Sequence, residues 1–439
     1  MNIIAIDCGA SLIKGGLFQD DKLIKTLSYS TPEERLDNSN ILQPIKIVGI
    51  INIVKEIIHT LGKGLSNINL SISNEMHGFL LTDKNYIPKT EYLSWQWELG
   101  AIKVNNISSV EKIRTIISAE DIKYTGMPLR AGLPSSNMLY LKDSGYLDNK
   151  QTLKFFTLGD YILAYLSNQE PNIHPTNAAA TGFFDLRTNN WNKNILNFIS
   201  ENNIFFPKVG NKKIHFKLDD LEICAYPAIG DQQAALLGAN FFNPWQLSFN
   251  IGTGGQTSVL TKYNKPSDFF QIRPYFNGYY LKTIPHIPSG RALNVYFRFI
   301  KDIIYSFNNN ITDEEIWNVI LQKAKQDKKS NIKCDLSFFE NTITNITKGS
   351  ISNIDEFSLT LGNLSQSIFK QMADNYVLAS KRICKNKNKI KQIVFSGGIA
   401  RKIELIRNYI LKSYGQDIKS NITENETLLG LCNYVRNSN

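Results

Sequence analysis

The sequence predicts an α/β fold made of two similar halves, and three observations point to it. Apolar runs of strand length alternate with stretches of helical periodicity along the chain. A strand, a glycine turn and a second strand open the sequence, and the same arrangement returns about 240 residues later. The length, 439 residues, leaves room for about two or three domain-sized cores.

Taken in order, residues 3–7, 12–18 and 23–29 read as a β-meander. Its first turn contains Gly9 and its second Gln19, Asp20 and Asp21. Residues 47–61 carry apolar side chains at 47, 50, 51, 54, 58 and 61, the spacing of a helix with one buried face. Residues 152–166 and 231–241 also read as helical. The second hairpin has strands at 247–250 and 256–260, joined by Gly252, Thr253, Gly254 and Gly255. Beyond it, 292–305 and 359–383 have helical periodicity, and 393–395 looks like a short buried strand. Ile6, Asp7, Cys8, Gly9, Ala10 and Ser11 match Phe249, Asn250, Ile251, Gly252, Thr253 and Gly254. Each half thus begins with strand, polar residue, glycine and small residues. The duplication suggests two domains facing each other, residues 1–242 and 243–439, with a boundary near Asn243 and Pro244.

Several function classes recede on composition. The first segment lacks a basic stretch and places Asp7 inside its apolar run, unlike a signal peptide. The longest apolar stretch, 47–54, is interrupted by Asn52 and followed by Lys55, far short of the ~20 residues that span a bilayer. Five cysteines, an odd number at wide intervals with no CxxC, read as reduced thiols of a cytoplasmic protein. The 49 Lys and Arg against 39 Asp and Glu give a net charge of +10, which would suit a polyanionic partner. The basic residues are dispersed, however, and the densest cluster, Lys381, Arg382, Lys385, Lys387, Lys389 and Lys391, has no interleaved aromatics on which bases could stack. Neither a nucleic acid nor a membrane is the expected partner.

Four short elements could carry chemistry. A glycine turn between strands can present successive backbone N–H groups to phosphate oxygens, and two such turns could grip one polyphosphate. Either turn alone is also an ordinary hairpin. No GxxxxGK[ST] occurs, since Lys14 precedes Gly15, so P-loop chemistry is excluded. The third element runs from Ala228 through Gly230, Asp231, Gln232 and Gln233 to Leu236; its acid is either functional or a helix N-cap. In the fourth, Val394 to Arg401, a strand ends in Gly397 and Gly398 before a helix. That bare backbone suits flat contact with a base, or a tight turn.

In order and approximate spacing these four elements resemble the FGGY family of carbohydrate kinases, which has the two-domain actin-like ATPase (ribonuclease H-like) fold with an interdomain cleft. Asn74, Glu75, Met76, His77 and Gly78 are similar to the sugar-contact motif of xylulokinases, and Gly159, Asp160 and Tyr161 to a helix start in the same enzymes. Asn177 to Asp185, Arg273 to Phe276 and Ser289 to Ala292 look most like sedoheptulokinases and their bacterial relatives. The likeness runs from residue 3 to about residue 430. Ala10, Asn74, Glu75 and Asn177 depart from the residues usual in the family.

The resemblance implies ATP and Mg²⁺ as cofactors and Asp231 as general base, with Asp7 and Asp231 near the metal. It implies nucleotide contacts from Gly9, Ser11, Lys14, Gly252, Thr253, Gly397, Gly398 and Arg401. Lys14 reads equally well as a surface lysine. For the acceptor it implies Met76, His77, Trp95 and Gln96, with Asn177 and Gln232 as further candidates. A Trp beside amide and imidazole groups suits a sugar, although a lone Trp or His is also a common structural residue. The expected activity is transfer of a phosphoryl group to a primary hydroxyl of a ketose, sedoheptulose first, then xylulose, ribulose or another polyol. The same likeness allows a homodimer, and the cysteine pattern already makes the cytoplasm the expected location. The alternative from another class is a non-catalytic actin-like protein that binds nucleotide or sugar.

Overall fold

A computed structural model describes residues 1–147, 151–200, 203–326, 331–339, 343–344, 346–415 and 418–438. The chain forms two compact units. Met1–Asn240, Lys262–Tyr280 and Asn425–Asn439 make the first; Phe241–Thr261 and Leu281–Glu424 make the second. Two segments beyond the expected boundary near Asn243 therefore belong with the first unit. Hydrogen bonds fix one of them, from Ile272 N to Gly126 O at 2.9 Å and from Asn264 Nδ2 to Leu186 O at 2.7 Å.

In the first unit, strands β1 (Asn2–Cys8), β2 (Leu12–Gln19) and β3 (Lys22–Ser30) form the antiparallel meander. Strand β4 (Asn67–Asn74) lies parallel to β1 on its other side. A parallel neighbour requires a crossover, and helix α1 (Ile45–Gly62) supplies it. Its Ile47, Ile50, Ile51, Val54, Ile57, Ile58 and Leu61 are buried with the inward residues of β1 and β4 in one core. A Cβ on Gly15 would collide with Ile57, so the glycine lets β2 and the helix approach. Pro44 offers α1 no side-chain cap; instead the buried Glu91 carboxylate accepts from Lys46 N at 2.7 Å and Ile47 N at 3.0 Å. This satisfies donors that a helix N-terminus otherwise leaves open and sets a negative charge against the positive end of its dipole. Beyond β4 the sheet continues with Leu221–Ala225 and Ile214–Leu218, while Ile229–Gly230 also pairs with β4.

Residues 152–166 correct the expectation of one helix. Leu153–Phe156 is a strand, antiparallel to Leu80–Thr82 and parallel to Ile204–Phe205, and the helix occupies only Leu158–Ser167. Phe155 stacks on Phe206 at 4.6 Å and on Phe79 at 5.6 Å, so aromatic partners across the small sheet outweigh the helical spacing of the sequence. The helix expected over 231–241 ends at Gly238.

The second unit repeats the plan. Gln246–Ile251 is antiparallel to Gly255–Thr261 and parallel to Gln392–Ser396, as β1 is to β2 and β4. Lys419–Ile422 continues the sheet on one side and Tyr280–Ile287 on the other. Helices Gly290–Tyr305 and Leu361–Ile383 follow the expected positions closely. Phe249 stacks on Phe395 and meets Tyr376 edge-on, tying the hairpin to the parallel strand and to the long helix.

Candidate active site

The end of β1 places Asp7 beside the first glycine turn. Its Oδ1 accepts a hydrogen bond from Ser73 Oγ of β4 at 2.8 Å, and Lys14 is its cross-strand partner in β2. The turn is held open by Gly9 N to Leu12 O at 3.1 Å, Thr31 Oγ1 to Gly9 O at 2.8 Å and Thr31 N to Ser11 O at 3.0 Å. Ser11 and the Lys14 side chain remain exposed. The strand pairing itself therefore brings Asp7, Gly9, Ser11 and Lys14 to one place.

Asp231 opens the helix Asp231–Gly238 at its first position; Gly230, in extended conformation, is the cap residue. Its Oδ1 accepts from Gln232 N at 2.7 Å, and Gly230 N donates to Thr176 Oγ1 at 3.1 Å. Asp7 and Asp231 keep partial solvent contact, yet enough protein surrounds them to disfavour their charged forms. Burial, reinforced by the charge of Asp231, pushes Asp7 up to about 7 against the opposing pull of Ser73 and Lys14. Burial pushes Asp231 up to about 6, moderated by the Gln232 amide and by the positive charge of Arg273. The structure thus draws the two acids within reach of each other's field.

Around Asp231 stand further predicted residues. Met76 is buried, with Sδ 3.6 Å from Arg273 Nη1, and Gln232 is buried with Oε1 accepting from the same guanidinium nitrogen. His77 holds a positive φ of 69°, and its Nδ1 lies 2.7 Å from Ala180 O. Asn177 is buried; its Nδ2 donates to Asn74 Oδ1 and to Ala228 O, both at 3.0 Å. Asn74 Oδ1 also accepts from Gly159 N at 3.2 Å, so this pair braces the end of β4 against two neighbouring segments.

Trp95 and Gln96 sit exposed on a loop whose base is buried. There the Glu34 carboxylate accepts from Ser94 N at 3.2 Å and Ser94 Oγ at 2.6 Å, and it pairs with Lys46 Nζ at 2.9 Å. Glu75 is buried nearby and pushed up to about 7, by burial against the attraction of Lys46. Glu34, Lys46, Ser73 and Arg273 support the predicted residues without having been assigned roles from the sequence. Arg273 had a signal in its Arg-Pro-Tyr-Phe segment; the other three had none of their own.

The second unit brings its own predicted residues together. Gly290 N at 2.9 Å and Ser289 Oγ at 2.9 Å donate to Gly252 O, and Arg291 N donates to Thr253 O at 3.1 Å. The carbonyls of Gly252 and Thr253 are thereby occupied, while the amides of Gly252, Thr253 and Gly254 donate to no backbone carbonyl among the described residues. Gly397, at φ 93°, lies so close that a Cβ would be 2.6 Å from Ile251 C and 2.8 Å from Gly252 N. Gly398 faces open space. Arg401 Nη1 reaches Thr423 O at 3.4 Å on the exposed side of the short Gly398–Lys402 helix.

Residues 2–220 match the model of the FGGY family of carbohydrate kinases, N-terminal domain. Through those residues the chain belongs to the FGGY family of carbohydrate kinases. The FGGY chain is 20% identical to the sedoheptulokinase of Mus musculus over 289 residues, 60% of this chain and 59% of that protein's length. The matched part is thus under two thirds of the curated relative. Its fold is similar to that of xylulose kinase from Lactobacillus acidophilus, with a TM-score of 0.81 at 19% identity, covering 100% of this chain and 90% of the other. Plasmodium falciparum glycerol kinase, solved with ADP, gives a TM-score of 0.79 at 14% identity, covering 98% and 88%. These likenesses establish the two-domain α/β fold of FGGY sugar kinases. Among the described residues no helix is long and apolar enough to cross a membrane.

The acids fit a magnesium ion by their chemistry. Mg²⁺ binds through one or two carboxylates and retains several waters. Asp7, raised by its own burial and by the negative charge of Asp231, would be relieved by such a cation. No group of three His, Cys, Asp or Glu residues capable of holding a metal occurs among the described residues, so water would complete the coordination.

Proposed function

We propose that this FGGY-family chain is an ATP- and Mg²⁺-dependent carbohydrate kinase that phosphorylates a primary hydroxyl of a ketose. Sedoheptulose is the first candidate acceptor and xylulose, ribulose or another polyol the next. The observation that carries the reading is Asp231, at the start of its helix beside Met76 and Gln232, with an ionisation poised near neutral pH.

In this mechanism Asp231 accepts the proton of the attacking hydroxyl, as a base tuned close to the working pH does most effectively. His77, Trp95 and Gln96 bind the sugar, and Met76 gives an apolar wall. Lys14 and the Gly9–Ser11 turn neutralise and orient phosphate oxygens. In the second unit the Gly252 and Thr253 amides hold phosphate, while Gly397, Gly398 and Arg401 lie along the nucleoside. Magnesium, held by Asp7 and Asp231 through carboxylate oxygens and water, would supply charge neutralisation of the phosphates.

A coupled ADP-release assay with Mg-ATP tests this across sedoheptulose, xylulose, ribulose, glycerol, aldoses and aldonates. Acceptor-dependent ADP release is the expected result, greatest for one ketose. ATP binding without any acceptor-dependent release would remove the kinase reading and favour a non-catalytic binder.

A further inference from the structure

Arg273 is only 6% exposed, yet it forms no salt bridge with any described residue. Its Nε and Nη2 donate to Gln271 Oε1 at 3.0 and 2.6 Å, its Nη1 donates to Gln232 Oε1, and Nη1 also touches Met76 Sδ. Every one of these direct partners is neutral; the negative charge of Asp231 acts on the guanidinium through space, without a hydrogen bond to it. A guanidinium withdrawn from water whose hydrogen-bond acceptors are all neutral is costly, and a side chain needed only for filling space at such a position would be apolar. What Arg offers beyond charge is a rigid planar fork whose donors fix several acceptors at once.

The acceptors it fixes are specific. Gln232 adjoins Asp231, and Met76 adjoins His77. The donor on Oε1 also sets the orientation of the Gln232 amide, turning its oxygen toward Arg273 and its NH₂ the other way. The next residue, Gln233, is tied to the same strand, with Nε2 donating to Pro274 O at 3.2 Å. The strand Gln271–Pro274 therefore holds the first turn of the Asp231 helix at two consecutive residues.

We propose that Arg273 is a positioning residue for the sugar site, which sets Gln232 with its NH₂ toward an oxygen of the acceptor and seats Met76 beside it. This deepens the carbohydrate-kinase reading above and rests on it. Acceptor affinity, and the ranking of acceptors that differ in one hydroxyl, should depend on Arg273; affinity for ATP should not.

The test compares the full chain with Arg273→Met, Arg273→Lys and Gln232→Glu. Acceptor KM, ATP KM and kcat are measured with the best acceptor of the panel and its single-deoxy analogues. Arg273→Met should raise acceptor KM at least ~10-fold, the scale of one misaligned hydrogen bond, while ATP KM stays within about twofold. Lys cannot reproduce the fork and should rescue little. Gln232→Glu, which keeps a partner for Arg273 but loses the NH₂, should raise acceptor KM likewise. With one deoxy analogue, the one lacking the oxygen that Gln232 reads, the Arg273→Met penalty should vanish.

If wild type is active and these variants leave acceptor KM unchanged, or shift the KM of acceptor and ATP together, the positioning role is overturned and the kinase reading survives. An unfolded Arg273→Met leaves the decision to Gln232→Glu and Arg273→Lys. Wild type inactive on every acceptor removes the kinase reading and this inference with it.

Discussion

As the proposed general base, Asp231 would have to be ionised to take a proton, and its surroundings push its ionisation up to about 6. With free enzyme and free acceptor, kcat/KM should therefore be flat above neutrality and fall as pH drops through about 6, which a pH-rate profile checks. Asp231→Asn should bind ATP and fold as wild type but lose roughly 10²–10⁴-fold in turnover, measured by ADP release. Glu75 makes a prediction of opposite sign for stability. Its folded-state ionisation is raised from 4.5 to about 7, so the native state binds more protons than the unfolded chain within that window. Stability falls as pH rises through the window, and the deficit is complete above it. Glu75→Gln should thus be more stable than wild type at pH 8, by on the order of 3 kcal/mol and with a higher unfolding temperature, and should unfold at the same temperature as wild type at pH 4. The residue types around Asp7 and Asp231 were legible in sequence because a glycine turn follows Asp7 and a glycine, Gly230, immediately precedes Asp231 at the helix start. The departures at Asn74 and Asn177 were visible separately; only the fold shows that the two amides bond to each other, a relation across more than a hundred residues that no local pattern encodes.

The helix bearing Asp231 is only eight residues long, Asp231–Gly238, too short to be stable on its own. It is held by Glu426–Asn437, which crosses it with backbone against backbone. A Cβ on Gly430 would overlap the Ala234 carbonyl, and one on Gly238 would overlap the Glu426 carbonyl. Gly430→Ala should therefore cost about 3 kcal/mol or more in thermal or urea unfolding and should lower turnover by displacing the helix that carries the proposed base. The hairpins and long helices could be read from periodicity because each is local. The strand Leu153–Phe156 could not, since its identity rests on Leu80–Thr82 and on the ring of Phe206, both distant in sequence.

On the scale of the whole molecule, the sequence duplication foretold two sheets of matching plan, since the same strand-turn-strand pattern dictates the same antiparallel pair. It could not foretell that Lys262–Tyr280 and Asn425–Asn439 return to the first unit, because membership in a unit is decided by packing partners. Leu428, Leu431, Cys432, Tyr434 and Val435 share one core with Ile3, Ala5 and Phe18 of the meander. A chain ended after Glu424 should expose that core: limited proteolysis with mass spectrometry should find new cuts within residues 1–240, while the body of the second unit, 281–424, stays comparatively protected.

That shared core also imposes an order on biosynthesis. Strand β1 leaves the ribosome more than four hundred residues before Glu426–Asn437. The second unit can be complete while the first still lacks a wall, so the meander and the Asp231 helix must wait, partly unprotected, for the segment that closes their core. The proposed proton-transfer role of Asp231 would then wait on that closing segment, and slow synthesis would lengthen the interval in which the apolar strands of the first unit invite chaperones.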